Sequence, residues 1–156
     1  LIPYVLIALV LVAVGLGLYF WIQRIKKKKP EEKPAPTIIE PAHVIAFREL
    51  DALKEKKLWQ QGQTKNYYIE LTDIIRRYLH VRFAIDATEM TTDEILQALR
   101  LTDCTAESLL AITRLLRLAD LVKFAKAQPI ENEHEDAFGQ ARTFVELTAI
   151  KGTETT

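Results

Sequence analysis

The chain has 156 residues, of which 49% are hydrophobic, 21 are basic, 21 are acidic and one is a cysteine. The single Cys104 excludes an internal disulfide and a cysteine-rich zinc site, and with them a disulfide-stapled secreted domain. The zero net charge hides two opposite parts, because five basic and no acidic side chains precede Pro30, whereas residues 30–156 carry 16 basic and 21 acidic ones.

The first part is an uncharged apolar segment, LIPYVLIALVLVAVGLGLYFWI, over residues 1–22. As a helix it is about 33 Å long, enough to cross a hydrocarbon core of about 30 Å. Aromatic rings favour the headgroup region, and basic side chains anchor a span at the membrane surface. We therefore predict a transmembrane helix over residues 1–25. Its membrane-interface anchors are Tyr19, Trp21, Arg24, Lys26, Lys27, Lys28 and Lys29.

The order of apolar and basic residues predicts the orientation of this helix. Basic side chains that flank a span stay on the cytoplasmic side, so the C-terminal part is expected in the cytoplasm. A cleaved signal peptide would need the basic residues first and small residues after the apolar run, where Phe20 and Trp21 stand instead. A buried core helix of this length is disfavoured in so small a domain. Because the chain begins at Leu1 rather than Met, we expect an extracytoplasmic part before it.

The remaining chain divides by composition. Residues 26–41 are first basic and then proline-rich, which predicts a semi-rigid linker, since proline biases the chain toward extended geometry. Residues 42–150 have few glycines and apolar side chains at helical spacing, which predicts an all-α cytoplasmic bundle of four to five helices. Residues 151–156 are predicted to be a disordered tail.

Capping and breaking signals place the helix ends. The predicted helices run from Pro41 to about Gln61, from Thr64 to Phe83, from Thr91 to near Leu101, from Thr105 to before Pro129, and from an Asn132 cap onward. Gly62 is expected to break the first helix, and Thr91 with Glu94 to form a capping box. The fourth is apolar on more than one face, which predicts that it is the central helix.

Residues suited to catalysis are few. His43, His80 and His134 form no i, i+4 pair, and a lone histidine is usually a surface residue. His134 lies within the acidic run Glu131–Asp136, which helix capping explains without a cation. The sequence therefore predicts no metal-binding or cofactor-binding residue.

Nucleophilic catalysis has equally little support. Ser108 lacks a glycine-rich elbow, and Cys104 has no resolving thiol, so no catalytic residue is predicted and the protein is expected not to be an enzyme. An enzyme that shares its site with a partner subunit would need a pocket lined by His80, Cys104 or the Glu131–Asp136 run.

A membrane-tethered DNA-binding transcriptional regulator is the alternative function. The third and fourth helices with their short connection could mimic a helix-turn-helix, and basic residues are present on the fourth helix. These residues are Arg114, Arg117, Lys123 and Lys126. Because the part after the linker is net acidic, phosphate contacts are weakened and binding to nucleic acid is disfavoured. A continuous basic stripe along the fourth helix would support this alternative.

Three segments together carry a resemblance to a known family. They are ELDALKEKKLWQQGQTKNYYIELTDIIRRYL, EMTTDEIL and LADLVKFAK. With the apolar span and linker before them, they resemble the membrane-proximal and cytoplasmic part of the Bacteroides aerotolerance (Bat) family, in particular its BatD-like members. The resemblance implies a bacterial inner-membrane location and a large extracytoplasmic region before this chain. It also implies protein partners, namely MoxR-type AAA+ ATPases and von Willebrand A domain membrane proteins, and no catalytic residues.

These observations predict a membrane-anchored adaptor that binds partner proteins in a system for stress tolerance or envelope assembly. Interface centres often mix aromatic and charged side chains. On that basis the candidate partner-binding residues are Trp59, Arg76, Arg77, Asp120, Lys123 and Lys126.

Overall fold

The computed structural model describes residues 40–150, which contain helices and no strand. The helices are α1 (Ala42–Glu55), α2 (Thr64–Phe83), α3 (Thr92–Leu99), α4 (Ala106–Ala125) and α5 (Glu131–Thr148), with a 3-10 turn over Trp59–Gln61. The predicted all-α fold is confirmed for this part of the chain. None of these helices is long and apolar enough to cross a membrane. The predicted transmembrane helix with its seven anchors, the linker up to residue 39 and the tail 151–156 lie outside the described residues.

Four of the helices form a bundle, and α3 lies on the connection between α2 and α4. Around the bundle, α1 packs on α2, α2 on α4, α4 on α5, and α5 on α1. Cross-helix contacts fix the directions. Tyr68 contacts His134 and Tyr78 contacts Thr148, so α2 and α5 run parallel. The early α2 residue Thr72 meets Lys123 near the end of α4, so these two helices are antiparallel.

The bundle therefore has two ends, which we name by residues of α1 and the turn. The Pro41 end holds the start of α1 and the last turns of α2 and α5. The Trp59 end holds the 3-10 turn, the first turns of α2 and α5 and the last turn of α4. Because α1 has 14 residues and rises about 1.5 Å per residue, the two ends lie roughly 21 Å apart along this helix.

All five helices contribute to one core. The largest fully buried side chains are Tyr68, Phe144, Leu50, Leu53, Leu71, Ile75, Leu79, Ile95, Leu99, Ile112, Leu115 and Leu116. The second helix contributes an apolar stripe to this core, since Tyr68, Leu71, Ile75, Tyr78 and Leu79 are all buried. This stripe repeats every three or four residues, which places it on one helix face.

The predicted end of α1 is wrong. The helix stops at Glu55 rather than near Gln61 because the amides of Lys56 and Lys57 bond to carbonyls three residues back and Lys57 takes a positive φ of 48°. The chain then makes the 3-10 turn and leaves it through Gly62, whose φ is 78°. The break turns Trp59 toward the bundle, where it packs against the core.

Of the caps predicted for α3 and α5, the first is confirmed and the second is wrong. The capping box of α3 is confirmed: the Thr91 hydroxyl accepts from the Glu94 amide, and the Glu94 carboxylate accepts from the Thr91 amide at 2.7 Å. The Asn132 cap of α5 is wrong, because the helix already begins at Glu131. Ile130 has extended backbone after Pro129, and its amide donates to the Glu133 carboxylate at 2.9 Å.

The fourth helix is only partly enclosed. It packs on α2, α3 and α5, and its buried residues include Ile112, Leu115 and Leu116. Its second apolar face is open, since Leu121 is 53% and Phe124 is 80% exposed. Both side chains lie at the Trp59 end.

Candidate functional site

The Trp59 end contains a groove where α1, the 3-10 turn, α2 and α5 meet. We call it the Trp59 groove. It is lined by Leu53, Lys54, Lys57, Leu58, Trp59, Gln60, Tyr67, His134, Glu135, Phe138 and Gly139, and its volume is about 240 Å³. The lining is mainly apolar and aromatic, with polar groups at the rim, which is the usual composition of a ligand pocket.

His134 is at the base of this groove and is buried, with 4% of its surface exposed. Its ring stacks on Trp59 with centroids 4.7 Å apart. Its Nδ1 atom lies 3.1 Å from the Tyr68 hydroxyl, and the Tyr67 hydroxyl donates to its carbonyl oxygen. The expectation of a surface histidine is therefore wrong, because the first turn of α5 faces the bundle at this residue. His134 links the turn, α2 and α5.

Burial also determines the protonation state of this cluster. Removal from water lowers the pKa of His134 below its usual value, while the nearby carboxylates of Glu133 and Glu131 oppose the shift. Burial raises the pKa of the Tyr67 and Tyr68 hydroxyls. The cluster is therefore neutral at physiological pH, with an uncharged imidazole and protonated phenols.

The rim of the groove carries the charge. Lys54 lies over the Phe138 ring, 5.6 Å from its centroid, within the range of a cation–π contact. Neither Lys54 nor Lys57 has a carboxylate within salt-bridge distance among residues 40–150. The lining includes one carboxylate, that of Glu135. With two lysines and one glutamate, the rim has a net charge of plus one at neutral pH.

Three of the six candidate partner-binding residues lie together at the α2–α4 contact. Lys123 is 13% exposed at its side chain, lies 3.9 Å from Asp120 and donates to the Thr72 hydroxyl at 3.4 Å. Burial lowers the pKa of Lys123, and the positive charge of Arg76 adds to this while Asp120 opposes it. Arg76 itself donates to the carbonyls of Ala87 and Met90 and so holds the connection before α3.

The other three are elsewhere, so the six residues do not form one surface. Arg77 pairs with Glu49 of α1 at 3.0 Å. Trp59 lines the groove, and Lys126 is the exposed residue that ends α4, with a φ of 56°. Within this set, Trp59 alone belongs to the groove.

The other histidines, Ser108 and Cys104 lie outside the Trp59 groove. Ser108 is buried and its hydroxyl donates to the Thr105 carbonyl, so it helps to cap α4. His43 contacts the Phe47 ring, and His80 is exposed. Cys104 is partly buried in the α3–α4 connection. Across residues 40–150 no three His, Cys, Asp or Glu side chains lie close enough to hold a metal ion.

Sequence reasoning missed the groove because its residues are far apart in the chain. Tyr67 and His134 are 67 positions apart, and the sequence predicts that Trp59 lies within a continuous first helix. The available signal was the aromatic content of the segment Trp59 to Tyr68, which has three aromatic residues beside a glycine break.

Comparisons of the whole chain with protein-family models, with curated proteins and with solved structures found no match.

Proposed function

We propose that this chain is a membrane-anchored, non-catalytic adaptor whose cytoplasmic helical domain binds partner proteins. The proposed location is the bacterial inner membrane, with one span over residues 1–25 and residues 42–150 in the cytoplasm. The partners proposed from the resemblance to the Bat family are a MoxR-type AAA+ ATPase and von Willebrand A domain membrane proteins, in a system for stress tolerance or envelope assembly.

The observation that carries the proposal is the Trp59 groove. Binding energy at protein interfaces concentrates in pockets that hold aromatic and large apolar anchors, and Trp59 with Phe138 lines a concavity of this type. Leu121, Phe124 and Ile130 are more than half exposed at the same end of the bundle. Exposed apolar groups close to one another are a common mark of protein-binding surfaces.

The anchor is supported by the sequence. Residues 1–22 are uncharged and long enough to span a bilayer, and five basic side chains follow before Pro30.

A membrane-tethered DNA-binding regulator fits the surface of α4 less well. A basic stripe is interrupted there, since Arg117 pairs with Asp93 and Lys123 is largely buried beside Asp120. Residues 40–150 carry 14 basic and 18 acidic side chains, a net charge of minus four, which opposes binding to phosphates.

A shared-site enzyme requires a pocket lined by His80, Cys104 or the Glu131–Asp136 run, and the Trp59 groove does include His134 and Glu135 from that run. The lining contains no Ser, Thr or Cys among the described residues, and His134 is engaged by Trp59 and Tyr68. Such an imidazole has a packing role in this arrangement, and the groove is better suited to binding than to nucleophilic catalysis.

The test is a pull-down from detergent-solubilised native membranes with the full-length protein and a variant that lacks residues 42–150, followed by mass spectrometry. The proposal predicts that an AAA+ ATPase or a von Willebrand A protein is recovered with the full-length protein only. Equal recovery with both variants would show that the helical domain is not the docking element. A wash of the membranes at alkaline pH tests the anchor, since a spanning protein stays with the lipid.

A further inference from the structure

Gly139 is unusual among the residues that line the Trp59 groove. It lies in the middle of α5, where glycine is unfavourable relative to alanine because of its backbone entropy. Its φ is not positive, so no backbone conformation requires a glycine there. A Cβ atom at this position would have no heavy atom within 4 Å, so close packing does not require one either. The effect of this glycine is to keep the groove open beside Phe138.

The size of the groove limits what it can hold. An apolar protein cavity of roughly 150 Å³ accommodates a benzene molecule. The volume of about 240 Å³ is therefore sufficient for one aromatic or large aliphatic side chain, with Trp59 and Phe138 as aromatic walls. Aromatic side chains gain most from such walls, because edge and offset ring contacts add to the burial of apolar surface.

The charge of the rim indicates what surrounds that side chain. The described domain has a net negative charge, yet the rim carries Lys54 and Lys57, neither of which pairs with a carboxylate in residues 40–150. Exposed cations without a carboxylate partner attract an acidic segment and set its orientation. Glu135 lies on α5, on the other side of the groove from Lys54 of α1, and its negative charge repels a second carboxylate there.

We propose that the Trp59 groove is a docking site for an acidic peptide segment of a partner protein, which inserts one aromatic or large aliphatic side chain beside Gly139. The inference rests on the proposed adaptor function and names the surface and the chemistry of its partner. The inserted side chain contacts Trp59 and Phe138, and the flanking carboxylates pair with Lys54 and Lys57. This arrangement is an apolar anchor in a pocket with a polar rim.

Trp59 provides the readout. The chain has two tryptophans, so the substitution Trp21→Phe leaves Trp59 as its one tryptophan, whose emission is followed under excitation selective for tryptophan. This protein, reconstituted in lipid nanodiscs, is titrated with the acetylated and amidated peptide EDLFED. Two matched peptides are titrated in parallel: EDSSED, which lacks the apolar pair, and KKLFKK, which reverses the charge. Binding beside Trp59 changes its emission in a saturable way.

We expect saturable binding of EDLFED and at least about tenfold weaker binding of both matched peptides, as loss of an anchor or of charge complementarity requires. Gly139→Leu fills the groove and should weaken EDLFED binding by about tenfold or more without a fall in the melting temperature. The double substitution Lys54→Glu and Lys57→Glu should weaken it by a similar factor. Lys65→Glu makes the same kind of charge change at an exposed residue outside the groove and should have less than about a twofold effect.

Other results would overturn the inference. These are equal binding of EDLFED and EDSSED, unchanged binding by Gly139→Leu, or an effect of Lys65→Glu as large as that of the double substitution. If the peptide does not bind although the pull-down depends on residues 42–150, this docking site is wrong and the adaptor function stands. If the peptide binds as expected although deletion of the domain does not alter the pull-down, the docking site holds and the adaptor function fails.

Discussion

We predict that His134 makes the stability of the helical domain dependent on pH. Its folded-state pKa is lowered by burial, so the unfolded chain binds a proton more readily than the folded one once the pH falls toward the usual value of 6.5. The unfolded state then binds more protons, and the free energy of unfolding decreases. The contribution of the neutral imidazole is complete well above pH 6.5 and is lost progressively as the pH falls through that value.

We therefore expect the free energy of unfolding of the wild-type protein to fall between pH 7.5 and pH 5.5. In His134→Gln the overall stability is lower at pH 7.5, because the stacking on Trp59 and the contact with Tyr68 are altered, but this fall is reduced. Urea unfolding of both proteins at the two pH values measures the difference. His80→Gln is the matched control, since that histidine is exposed. An identical decrease in the wild-type protein and His134→Gln would contradict the assignment.

A second prediction for a single residue concerns Thr91. Hydrogen bonds from its amide and hydroxyl lower the pKa of the Glu94 carboxylate below its usual value. Replacing Thr91 with Ala removes the hydroxyl, so the pKa of Glu94 should rise toward 4.5 and the domain should lose about 1 kcal/mol of stability, the usual cost of losing a cap. Thr88→Ala, in the exposed turn before the cap, should change neither quantity. NMR titration and thermal unfolding measure the two effects.

At the scale of the helices, the two glycines of the described region have opposite effects on stability. Gly62 has a φ of 78°, a left-handed conformation that costs other residues roughly 1–2 kcal/mol. Gly139 is helical and has open space around its missing side chain. The first glycine is needed by the backbone where α1 gives way to α2, and the second lowers the stability of α5.

We expect Gly139→Ala to raise the free energy of unfolding by about 0.5–1 kcal/mol, because alanine loses less backbone entropy in a helix. Gly62→Ala should lower it by about 1 kcal/mol or more, since alanine is strained at positive φ. Thermal unfolding of the two variants beside the wild-type protein gives the comparison. A loss of stability in Gly139→Ala would mean that its side-chain position is more crowded than its surroundings indicate.

The sequence predicts the bounds of some helices and not of others. The difference is whether a boundary is set by neighbouring residues or by residues far apart in the chain. The bounds of α2 and the capping box of α3 follow from local signals, namely the apolar stripe and the Thr91–Glu94 spacing, and both are confirmed. The early end of α1 at Glu55 was not predictable in this way, and the turn after it places Trp59 against His134 across the bundle. That contact joins segments more than 70 positions apart, and no local pattern encodes it.

For the whole molecule, the proposed docking site is the Trp59 groove, at the end of the described bundle opposite Pro41. The groove was not predictable from the sequence, since it forms only when four elements meet at the Trp59 end. The six candidate partner-binding residues share only their residue types, and the fold separates them into the α2–α4 contact, the α1–α2 face, the end of α4 and the groove.

The central claim, that partners dock at the Trp59 end, is tested most directly by photo-crosslinking in living cells. A photoreactive amino acid is placed at Gln60, an exposed residue of the groove rim, or at His80, an exposed residue near the other end of α2. We expect that Gln60 crosslinks to an AAA+ ATPase or a von Willebrand A protein, and that His80 does not. Crosslinks to such a partner from His80 alone, or from neither residue, would contradict it.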